Sequence, residues 1–364
     1  MSAKKIVCLI EDLNSGGAER QLSGLAVLLK QHGYDVEVWT YYPGDFYLHD
    51  LVDAGVKYRY IVRAQNPFNR IPVLKKELNK HRPDTVIAYL DTACIVACII
   101  KLAGGKFNLI VSERNTTQRL TARERIKFYL YRFADTIVCN SFSQGKYIQN
   151  NYLNIANKIK VITNMVDFNK FYPNEYTHSN INNESFIPQV ITTARIATQK
   201  NVINYLEALA ILRKDGVKAQ FNWFGCPESQ QYLDEVLAKQ HNLGLDDYIK
   251  FHVGGTKNIE EVYRSHTHFC LPSIYEGFPN VLCEAMASGL VCTASNICDN
   301  PIILEDPDFM FDPASPYEMA KTIKKSLLLT SSKCNIVSIK NRKIVKDLCS
   351  MDLFIQKYIN LINS

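Results

Sequence analysis

The sequence predicts an α/β protein with two doubly wound parallel-sheet domains, and three observations carry this prediction. Short apolar runs typical of buried strands alternate with amphipathic helical segments along both halves of the chain. A polar, asparagine-rich stretch at residues 167–189 interrupts the alternation. At 364 residues the chain also exceeds the roughly 250–300 residues at which a single core stops growing. We expect the two domains to face each other across a cleft that holds the ligand.

The apolar runs place the individual elements in order. In the first half they predict strands at KIVCLIED, DVEVWTY, TVIAYL, NLIVSE, DTIVCNS and KIKVIT, and helices over residues 18–31, 92–103, 122–134 and 144–152. In the second half they predict strands at QVITTARI, KAQFNWFG, YIKFHVGG, HFCLPS and LVCTAS, and helices over residues 202–213, 232–241, 259–265, 315–329 and 336–363. The predicted divisions are an N-terminal domain over 1–170, a linker over 171–188, a C-terminal domain over 189–345 and a helical segment over 346–364.

Charge and cysteine content restrict the class of protein. Residues 1–170 carry 24 Lys and Arg against 15 Asp and Glu, a net charge of +9, whereas the remaining 18 against 21 give −3. The basic half favours an anionic partner, either a phosphate-bearing substrate or an anionic membrane surface. The 11 cysteines form no C-x-x-C pair, which predicts a reducing compartment without disulfides or zinc. The sequence shows no apolar run long enough to span a membrane and no signal peptide, so we expect a cytoplasmic protein.

The segment SIYEGFPNVLCEAMASG at residues 273–289 carries two glutamates across a turn that becomes a helix. Glu276 follows a strand, and Glu284 lies about one turn into a helix that Pro279 can begin. Free amides at residues 280–282 would then bind a phosphate, with a carboxylate on either side accepting hydrogen bonds from hydroxyl groups. A nucleotide sugar has this layout. The alternative is that Glu284 only complements the helix dipole and Glu276 decorates a turn.

The whole phrase resembles the donor-site signature of the retaining GT-B glycosyltransferases of family 4, which include sucrose synthase, bacterial mannosyltransferases and many O-antigen and capsule transferases. TTARIATQKNV resembles the family segment whose arginine and lysine, here Arg195 and Lys200, hold the donor diphosphate. NSGGAERQ resembles the glycine-rich first loop, where Gly16 and Gly17 would let backbone amides approach the diphosphate and the acceptor. The resemblance implies a GT-B fold whose last helix crosses back to the first domain.

Two segments depart from the family pattern. ITNMVDFNKFYP has Met165 where the family has glycine and Thr163 where it has proline, which puts the local turn in doubt. VSERNTTQ has Arg114 where many members have a histidine that reaches the sugar or acceptor. Arginine stays charged and cannot act as a general base, but it can still bind sugar or phosphate. Glu113 is either the nearest ionisable substitute or an ion-pair partner of Arg114.

The resemblance implies transfer of a hexose or N-acetylhexosamine from a UDP-sugar, with retention and without a metal or other cofactor. The departing phosphate would take the acceptor proton, and the acceptor would be a saccharide on a polyprenyl diphosphate at the inner face of the cell membrane. The implied catalytic residues are Arg195, Lys200 and Glu276. The implied donor-binding residues also include Gly16, Gly17, Gly277, Phe278, Pro279, Asn280, Val281, Leu282 and Glu284. The candidates for binding acceptor or sugar are Glu113, Arg114 and Asn115.

Alternatives remain open at this level. A non-hydrolysing UDP-sugar epimerase shares the fold, and a non-catalytic membrane scaffold could retain it, although a scaffold needs none of the four charged residues of the donor motifs. Nucleic acid binding is not expected, because no recognised module is present. Asp306 and Asp308 match a D-x-D motif but are typical of a turn, and His266 and His268 lack further zinc ligands. The basic helix at 122–134 is either a solvated helix packed on the sheet or a membrane-surface helix.

Overall fold

The computed structural model describes residues 3–117, 120–174, 183, 185–254, 256 and 258–364. Their contacts divide the chain into two units: unit 1 comprises Met1–Met165 and Met351–Ser364, and unit 2 comprises Val166–Ser350. The sequence placed these limits at residues 170 and 346. The limits shift because the Val166 amide donates to the carbonyl of Cys349 at 2.8 Å, inside unit 2. Half of the predicted linker, residues 175–182 and 184, lies outside the described residues.

The described residues of unit 1 form seven parallel strands and, up to residue 165, six α-helices. The strands are β1 Lys5–Leu9, β2 Asp35–Thr40, β3 Lys57–Tyr60, β4 Thr85–Tyr89, β5 Asn108–Glu113, β6 Thr136–Cys139 and β7 Ile159–Val161. The helices are α1 Gly17–Gln31, α2 Leu48–Asp53, α3 Pro67–His81, α4 Asp91–Leu102, α5 Ala122–Leu130 and α6 Phe142–Asn151. Short 3-10 helices span Val62–Ala64, Tyr131–Phe133 and Ala156–Lys158.

In unit 2, the part that the structure describes forms six parallel strands and seven α-helices. The strands are β8 Gln189–Thr193, β9 Gln220–Gly225, β10 Ile249–Val253, β11 His268–Leu271, β12 Val291–Ser295 and β13 Met310–Phe311. The helices are α7 Val202–Lys214, α8 Gln230–Asn242, α9 Ile259–Arg264, α10 Asn280–Ala287, α11 Asn300–Leu304, α12 Pro316–Leu327 and α13 Ser331–Cys349. Two 3-10 helices span Thr198–Lys200 and Pro307–Phe309.

Both sheets are doubly wound, as the sequence predicts. The strand order is β3-β2-β1-β4-β5-β6-β7 in unit 1 and β10-β9-β8-β11-β12-β13 in unit 2. Each sheet is covered on both faces, so successive residues of a central strand enter different cores. Val7 and Leu9 of β1 pack into one core of unit 1, and Ile6 and Cys8 into the other. In each unit the strand order reverses beside the first strand, where ligands of such sheets bind.

The last helix, α14 Met351–Asn363, belongs to unit 1 although it follows unit 2 in the chain. Its buried face enters a core of unit 1 through Phe354, Ile355, Tyr358 and Ile362. The hydroxyl of Tyr358 lies 2.7 Å from that of Tyr89 at the end of β4. This helix therefore completes the packing of unit 1. Within the described part of the chain, no helix is both long and apolar enough to cross a membrane.

Candidate active site

The loops that follow β8 and β11 lie side by side at the carboxyl edge of the unit 2 sheet, because these strands are parallel neighbours. The amide of Ile274 donates to the carbonyl of Gln199 at 2.9 Å. The side-chain amide of Gln199 donates in turn to the carbonyl of Tyr275 at 2.9 Å. These two bonds join the segment that contains Arg195 and Lys200 to the segment that contains Glu276. Two motifs that are distant in the sequence are thereby held together.

Asn201 locks this junction, and the sequence reasoning did not single it out. Its backbone is left-handed, with φ of 61° and ψ of 36°, a conformation that asparagine tolerates better than most residues. Its side-chain amide donates to the carbonyls of Pro272 at 3.1 Å and Pro313 at 2.7 Å. One buried side chain thus ties together the loops after β8, β11 and β13. The only sequence signal was the asparagine after the motif lysine in TQKNV.

Lys200 and Glu276 form an ion pair at the centre of the junction. The Lys200 Nζ lies 2.5 Å from Glu276 Oε1, and the Ser273 hydroxyl donates to the same oxygen at 2.6 Å. The hydroxyl of Ser295, at the end of β12, donates to the Ser273 carbonyl at 2.6 Å and so fixes the serine. Glu276 is only 7% exposed. A fixed ammonium beside a fixed carboxylate can bind a phosphate and a sugar hydroxyl at neighbouring positions.

Arg195 differs from Lys200 because its side chain is exposed. A guanidinium nitrogen lies 3.5 Å from the side-chain oxygen of Gln199, a long hydrogen bond. The arginine therefore stands at the surface of the same loop, where it can reorient toward an anion. Of the three residues predicted as catalytic, Lys200 and Glu276 touch each other, and Arg195 touches neither of them.

The amides at the start of α10 are less free than the sequence predicts. The Asn280 amide donates to the carbonyl of Phe278 at 2.9 Å, and the Leu282 amide donates to that of Pro279 at 3.1 Å. Among the described residues, only Val281 of these three has an amide without a backbone acceptor. The tight turn into the helix causes this, since it satisfies two of the amides itself. The predicted phosphate site of three free amides is corrected to one.

Several predicted donor-binding residues contribute no free side chain. Phe278 and Leu282 belong to the hydrophobic core of unit 2, and Val281 packs against it. Pro279 is buried, and Gly277 is half-buried. These residues can therefore meet a ligand mainly through their backbone. Glu284 lies in α10 and is 4% exposed. A ligand group that contacts its carboxylate would therefore itself be buried.

Tyr263 forms a hydrogen bond with the first turn of α10, and the sequence analysis did not single it out. It is fully buried at the end of α9. Its hydroxyl lies 2.5 Å from that of Thr193 at the end of β8 and donates to the carbonyl of Val281 at 3.4 Å. The tyrosine thus links the strand before the Lys200 loop to the helix after the Glu276 loop. A buried phenol with partners on two elements positions the site rather than contacting a substrate.

The glycine-rich loop of unit 1 leads into α1 and has an acidic side chain beside it. Gly16 precedes α1, and Gly17 begins it. A Cβ atom on Gly16 would lie 2.0 Å from a carboxylate oxygen of Glu19, so the glycine leaves room for that side chain. Burial raises the pKa of Glu19, and the nearby carboxylates of Asp12 and Glu11 raise it further. Gly16 therefore has the Glu19 carboxylate beside it, and the binding of a diphosphate at Gly16 and Gly17 stays a prediction.

Met165 occupies the position where the family pattern has glycine, and the local turn is nevertheless well supported. The Met165 amide donates to Gln21 Oε1 at 2.8 Å, and Gln21 Nε2 donates to the Met165 carbonyl at 2.9 Å. The methionine side chain covers Gly24 of α1, where a Cβ would lie 1.9 Å from the methionine Cε. The doubt that the departure raised about this turn is therefore removed.

Glu113 is not available to a substrate, which corrects its assignment as a sugar or acceptor candidate. It is fully buried at the end of β5. Its carboxylate lies 3.0 Å from the Lys127 Nζ and accepts a bond from the Tyr131 hydroxyl at 3.1 Å. Burial raises the pKa of Glu113, and Lys127 opposes that rise. The partner of Glu113 is therefore Lys127 and not Arg114, because adjacent strand residues point to opposite faces.

Arg114 and Asn115 follow Glu113 beyond the end of β5. The Arg114 Nη1 donates to Asn164 Oδ1 at 2.5 Å, and its guanidinium lies over the ring of Tyr89, 4.0 Å from the ring centre. Arg114 is 7% exposed, whereas Asn115 is exposed. The structure thus separates the three acceptor candidates into a buried ion pair, a buried cation and a surface amide.

The alternative motifs have ordinary structural roles. Asp306 Oδ1 accepts from the amide of Asp308 at 3.0 Å and caps the 3-10 helix there. His266 Nδ1 lies 2.6 Å from the carbonyl of Val262, and His268 Nε2 lies 3.2 Å from that of Ser326. The described residues contain no group of three His, Cys, Asp or Glu side chains that could hold a metal ion.

His266 should make the protein less stable in acid. Burial lowers its pKa from 6.5 to about 4, so the unfolded chain takes up a proton at higher pH than the folded chain. Stability should therefore fall as the pH drops from 6.5 toward 4, by up to about 3 kcal/mol from this group. Chemical denaturation at several pH values should show this loss in the wild-type chain and not in His266→Gln. Equal pH dependence of the two chains would contradict it.

Comparison with known proteins gives two family matches and several relatives. A model described as Glycosyltransferase Family 4 matches residues 15–170, and one described as Glycosyl transferases group 1 matches residues 178–343. A Campylobacter jejuni protein named GalNAc-α-(1→4)-GalNAc-α-(1→3)-diNAcBac-PP-undecaprenol α-1,4-N-acetyl-D-galactosaminyltransferase is 29% identical over 296 residues, covering 78% of this chain and 76% of the relative. The amylovoran biosynthesis glycosyltransferase AmsD of Erwinia amylovora is 27% identical, covering 85% of this chain and 86% of the relative.

Solved structures resemble the whole chain. A glycosyltransferase from Rickettsia africae superposes with a TM-score of 0.85 at 17% identity, covering 100% of this chain and 98% of the other. The Anabaena protein HepE in complex with UDP and glucose superposes with a TM-score of 0.82 at 19% identity, covering 99% and 100%. At these identities the likeness concerns the fold alone.

Proposed function

The chain belongs to the glycosyltransferases that the group 1 and family 4 models describe, and from this premise we propose that it transfers a hexosyl or N-acetylhexosaminyl group from a nucleotide diphosphate sugar to a saccharide acceptor. Its fold is GT-B. We infer UDP as the nucleotide and retention at the anomeric carbon. The acceptor would be a saccharide on a polyprenyl diphosphate, used in bacterial surface polysaccharide biosynthesis. The names of the Campylobacter and Erwinia relatives support the acceptor and the pathway.

The observation that carries the proposal is the Lys200–Glu276 pair at the carboxyl edge of the unit 2 sheet. Lys200 would bind the donor diphosphate, with Arg195 reorienting from the surface to share the charge. Glu276 would accept hydrogen bonds from the sugar hydroxyls, and Glu284 would do the same for the ribose. The Val281 amide would add one donor to the phosphate. Ser273, Asn201 and Tyr263 would act as positioning residues because they hold these groups without reaching the substrate.

The proposed reaction is a displacement on one face of the sugar. The bond between the anomeric carbon and the donor phosphate breaks as the bond to the acceptor hydroxyl forms. The acceptor proton passes to the departing phosphate oxygen. Negative charge therefore grows on the diphosphate, and Lys200, together with Arg195 once it has reoriented, would stabilise that charge where it develops. On this reasoning we expect no metal requirement.

A panel experiment tests the proposal. The protein is incubated with UDP- and GDP-sugars and a lipid-diphosphate disaccharide, and the product mass is followed. We expect addition of one hexose or N-acetylhexosamine to the acceptor. An altered sugar nucleotide formed without acceptor would instead identify an epimerase. No transfer across the full panel would favour a non-catalytic scaffold.

The exposed face of α5 supports peripheral binding to the inner face of the cell membrane. Its outward residues are Arg123, Arg125, Ile126 and Tyr129, with Arg132 following in the next turn. Ile126 and Tyr129 are 60% and 57% exposed. The sequence counted Lys127 on this basic face, but the residue is buried against Glu113. The remaining arginines still surround two exposed apolar side chains, as in helices that lie on anionic lipid.

Flotation with vesicles of phosphatidylglycerol and phosphatidylcholine tests the membrane proposal. The triple change Arg123→Gln, Arg125→Gln and Arg132→Gln should weaken binding at least tenfold, since each basic residue near the surface contributes about 1 kcal/mol. Added salt should weaken the wild type in the same way. The matched control is Lys340→Gln, Lys343→Gln and Lys346→Gln, on α13 of unit 2. Equal losses in the two triple variants would reject a specific role for α5.

A further inference from the structure

Arg114 is a buried cation that forms no ion pair with any residue that the structure describes. Its Nη1 donates to Asn164, but its Nε and Nη2 have no hydrogen-bond partner in the described part of the chain. Both atoms are shielded from solvent, and the residue is 7% exposed. Leaving buried donors and a buried charge unmatched is costly, so such groups in folded proteins usually serve a ligand, an ion or catalysis.

The carboxylate next to Arg114 in the sequence does not neutralise this charge. The neighbouring carboxylate of Glu113 is bound by Lys127 and Tyr131 on the opposite face of the sheet. The ring of Tyr89 contacts the flat face of the guanidinium and stabilises the cation there. A ring on that face accepts no bond from the N–H groups in the guanidinium plane. The hydroxyl contact between Tyr89 and Tyr358 fixes the ring, and so also the plane of the guanidinium.

The two unpartnered nitrogens form a matched pair. Nε and Nη2 lie on one edge of the guanidinium, and their hydrogens are spaced to meet two oxygens of one carboxylate or phosphate. A second buried atom, an acceptor, has no partner among the described residues and lies just after the end of the adjacent strand β6. Glu113 pairs with Cys139 in the sheet, so the next residues along, Arg114 and Asn140, fall at one level. The Asn140 Oδ1 is buried and has no partner within the described residues, and it can accept from a hydroxyl.

We propose that Arg114 binds an oxyanion of the substrate held by unit 1, through the side-on pair Nε and Nη2. Calling this oxyanion part of a substrate rests on the proposed glycosyltransferase function. The shared chemistry is a planar pair of anionic oxygens beside a sugar hydroxyl. It can come from a phosphate of a lipid-linked diphosphate or from the carboxylate of an acidic sugar. A neutral acceptor without either group would leave the arginine unmatched.

The test follows the arginine itself. The full chain is labelled with ¹⁵N-arginine, and the Nε–H signal of Arg114 is identified by its loss in Arg114→Lys. Methyl phosphate, D-glucuronate and D-glucose are added in separate millimolar titrations. We expect the Arg114 signal to shift with at least one oxyanion and not with glucose. The shift should persist in Arg195→Ala/Lys200→Ala, which lacks the proposed donor-site cations.

The outcomes distinguish a phosphate from a sugar carboxylate as the oxyanion. They also distinguish failure of the Arg114 inference from failure of the proposed function. A response to phosphate alone indicates the lipid diphosphate, and a response to glucuronate alone indicates an acidic sugar. An Arg114 signal that neither oxyanion moves, or that glucose moves equally, overturns the inference. The signal of the exposed Arg63 is the control, and a shift of equal size there would show nonspecific binding and also overturn it. Sugar transfer is assayed on the same sample, so failure of the proposed function is recognised independently.

Discussion

Glu276→Gln should lower kcat/KM for sugar transfer at least about 100-fold, a loss of roughly 3 kcal/mol in transition-state stabilisation. The reason is that Glu276 holds Lys200 at 2.5 Å and is proposed to orient the sugar. Glutamine keeps the size of the side chain and can still accept from Ser273, so folding should be little affected. Steady-state kinetics with the active donor and acceptor measure the effect, and thermal unfolding checks the fold.

Companion variants sharpen this prediction. Lys200→Met should lose a similar factor, and the double variant should lose far less than the product, because the two side chains act as a unit. Arg195→Ala should also abolish transfer without unfolding the chain. Glu235→Gln, an exposed change on α8, is the control and should keep wild-type activity. Wild-type kinetics in Glu276→Gln would remove the proposed donor site.

Lys127→Met should destabilise the protein by about 3–5 kcal/mol, because it leaves the buried carboxylate of Glu113 without its cation. Lys127 is 1% exposed and also lies 3.2 Å from Asp91. Burial lowers the pKa of Lys127, but the carboxylates of Glu113 and Asp91 raise it above its ordinary value, so the lysine stays charged. Calorimetry should show a Tm lower by roughly 6–20 °C for a unit of this size.

Two controls distinguish charge from volume in this prediction. The double variant Lys127→Met/Glu113→Gln removes both charges and should recover much of the lost stability. Lys146→Met changes an exposed lysine of the same unit and should shift stability by less than about 0.5 kcal/mol. If Lys127→Met were as stable as Lys146→Met, the buried cluster would contribute nothing to folding.

The elements that the sequence predicts well are those buried on both faces. The runs that became β1, β4 and β5 are rich in apolar residues and mostly buried, and both sheets formed from such runs as expected. In unit 1 the missed elements lie between β2 and β4, and in unit 2 the short α11 and β13 were missed. β3 reads KYRY and is only partly buried at the edge of the sheet, and α3 has Pro72 inside it and a weakly apolar composition. Their formation depends on packing, which a local pattern does not reveal.

The same limit holds for the candidate site, where the sequence identified residues but not the contacts that depend on packing. The resemblance singled out Lys200 and Glu276, and the structure pairs them across 76 positions in the sequence. The roles of Glu113 and Lys127 could not be predicted, because which cation neutralises a buried carboxylate depends on how α5 packs against β5. The occupied amides of α10 were missed because they depend on the tightness of a turn. Motif spacing in the sequence can identify site residues, but it does not identify their ion-pair and hydrogen-bond partners.

The position of α14 has a consequence for biosynthesis. Most of unit 1 leaves the ribosome first, yet a core of this unit contains Phe354, Ile355 and Tyr358. Until those residues are translated, the apolar side chains that share this core with them lack these contacts. Unit 2, which is continuous in sequence, can fold in the meantime. Unit 1 is therefore the first to be synthesised but the last to complete its core. An N-terminal fragment expressed alone would expose apolar side chains that chaperones can bind.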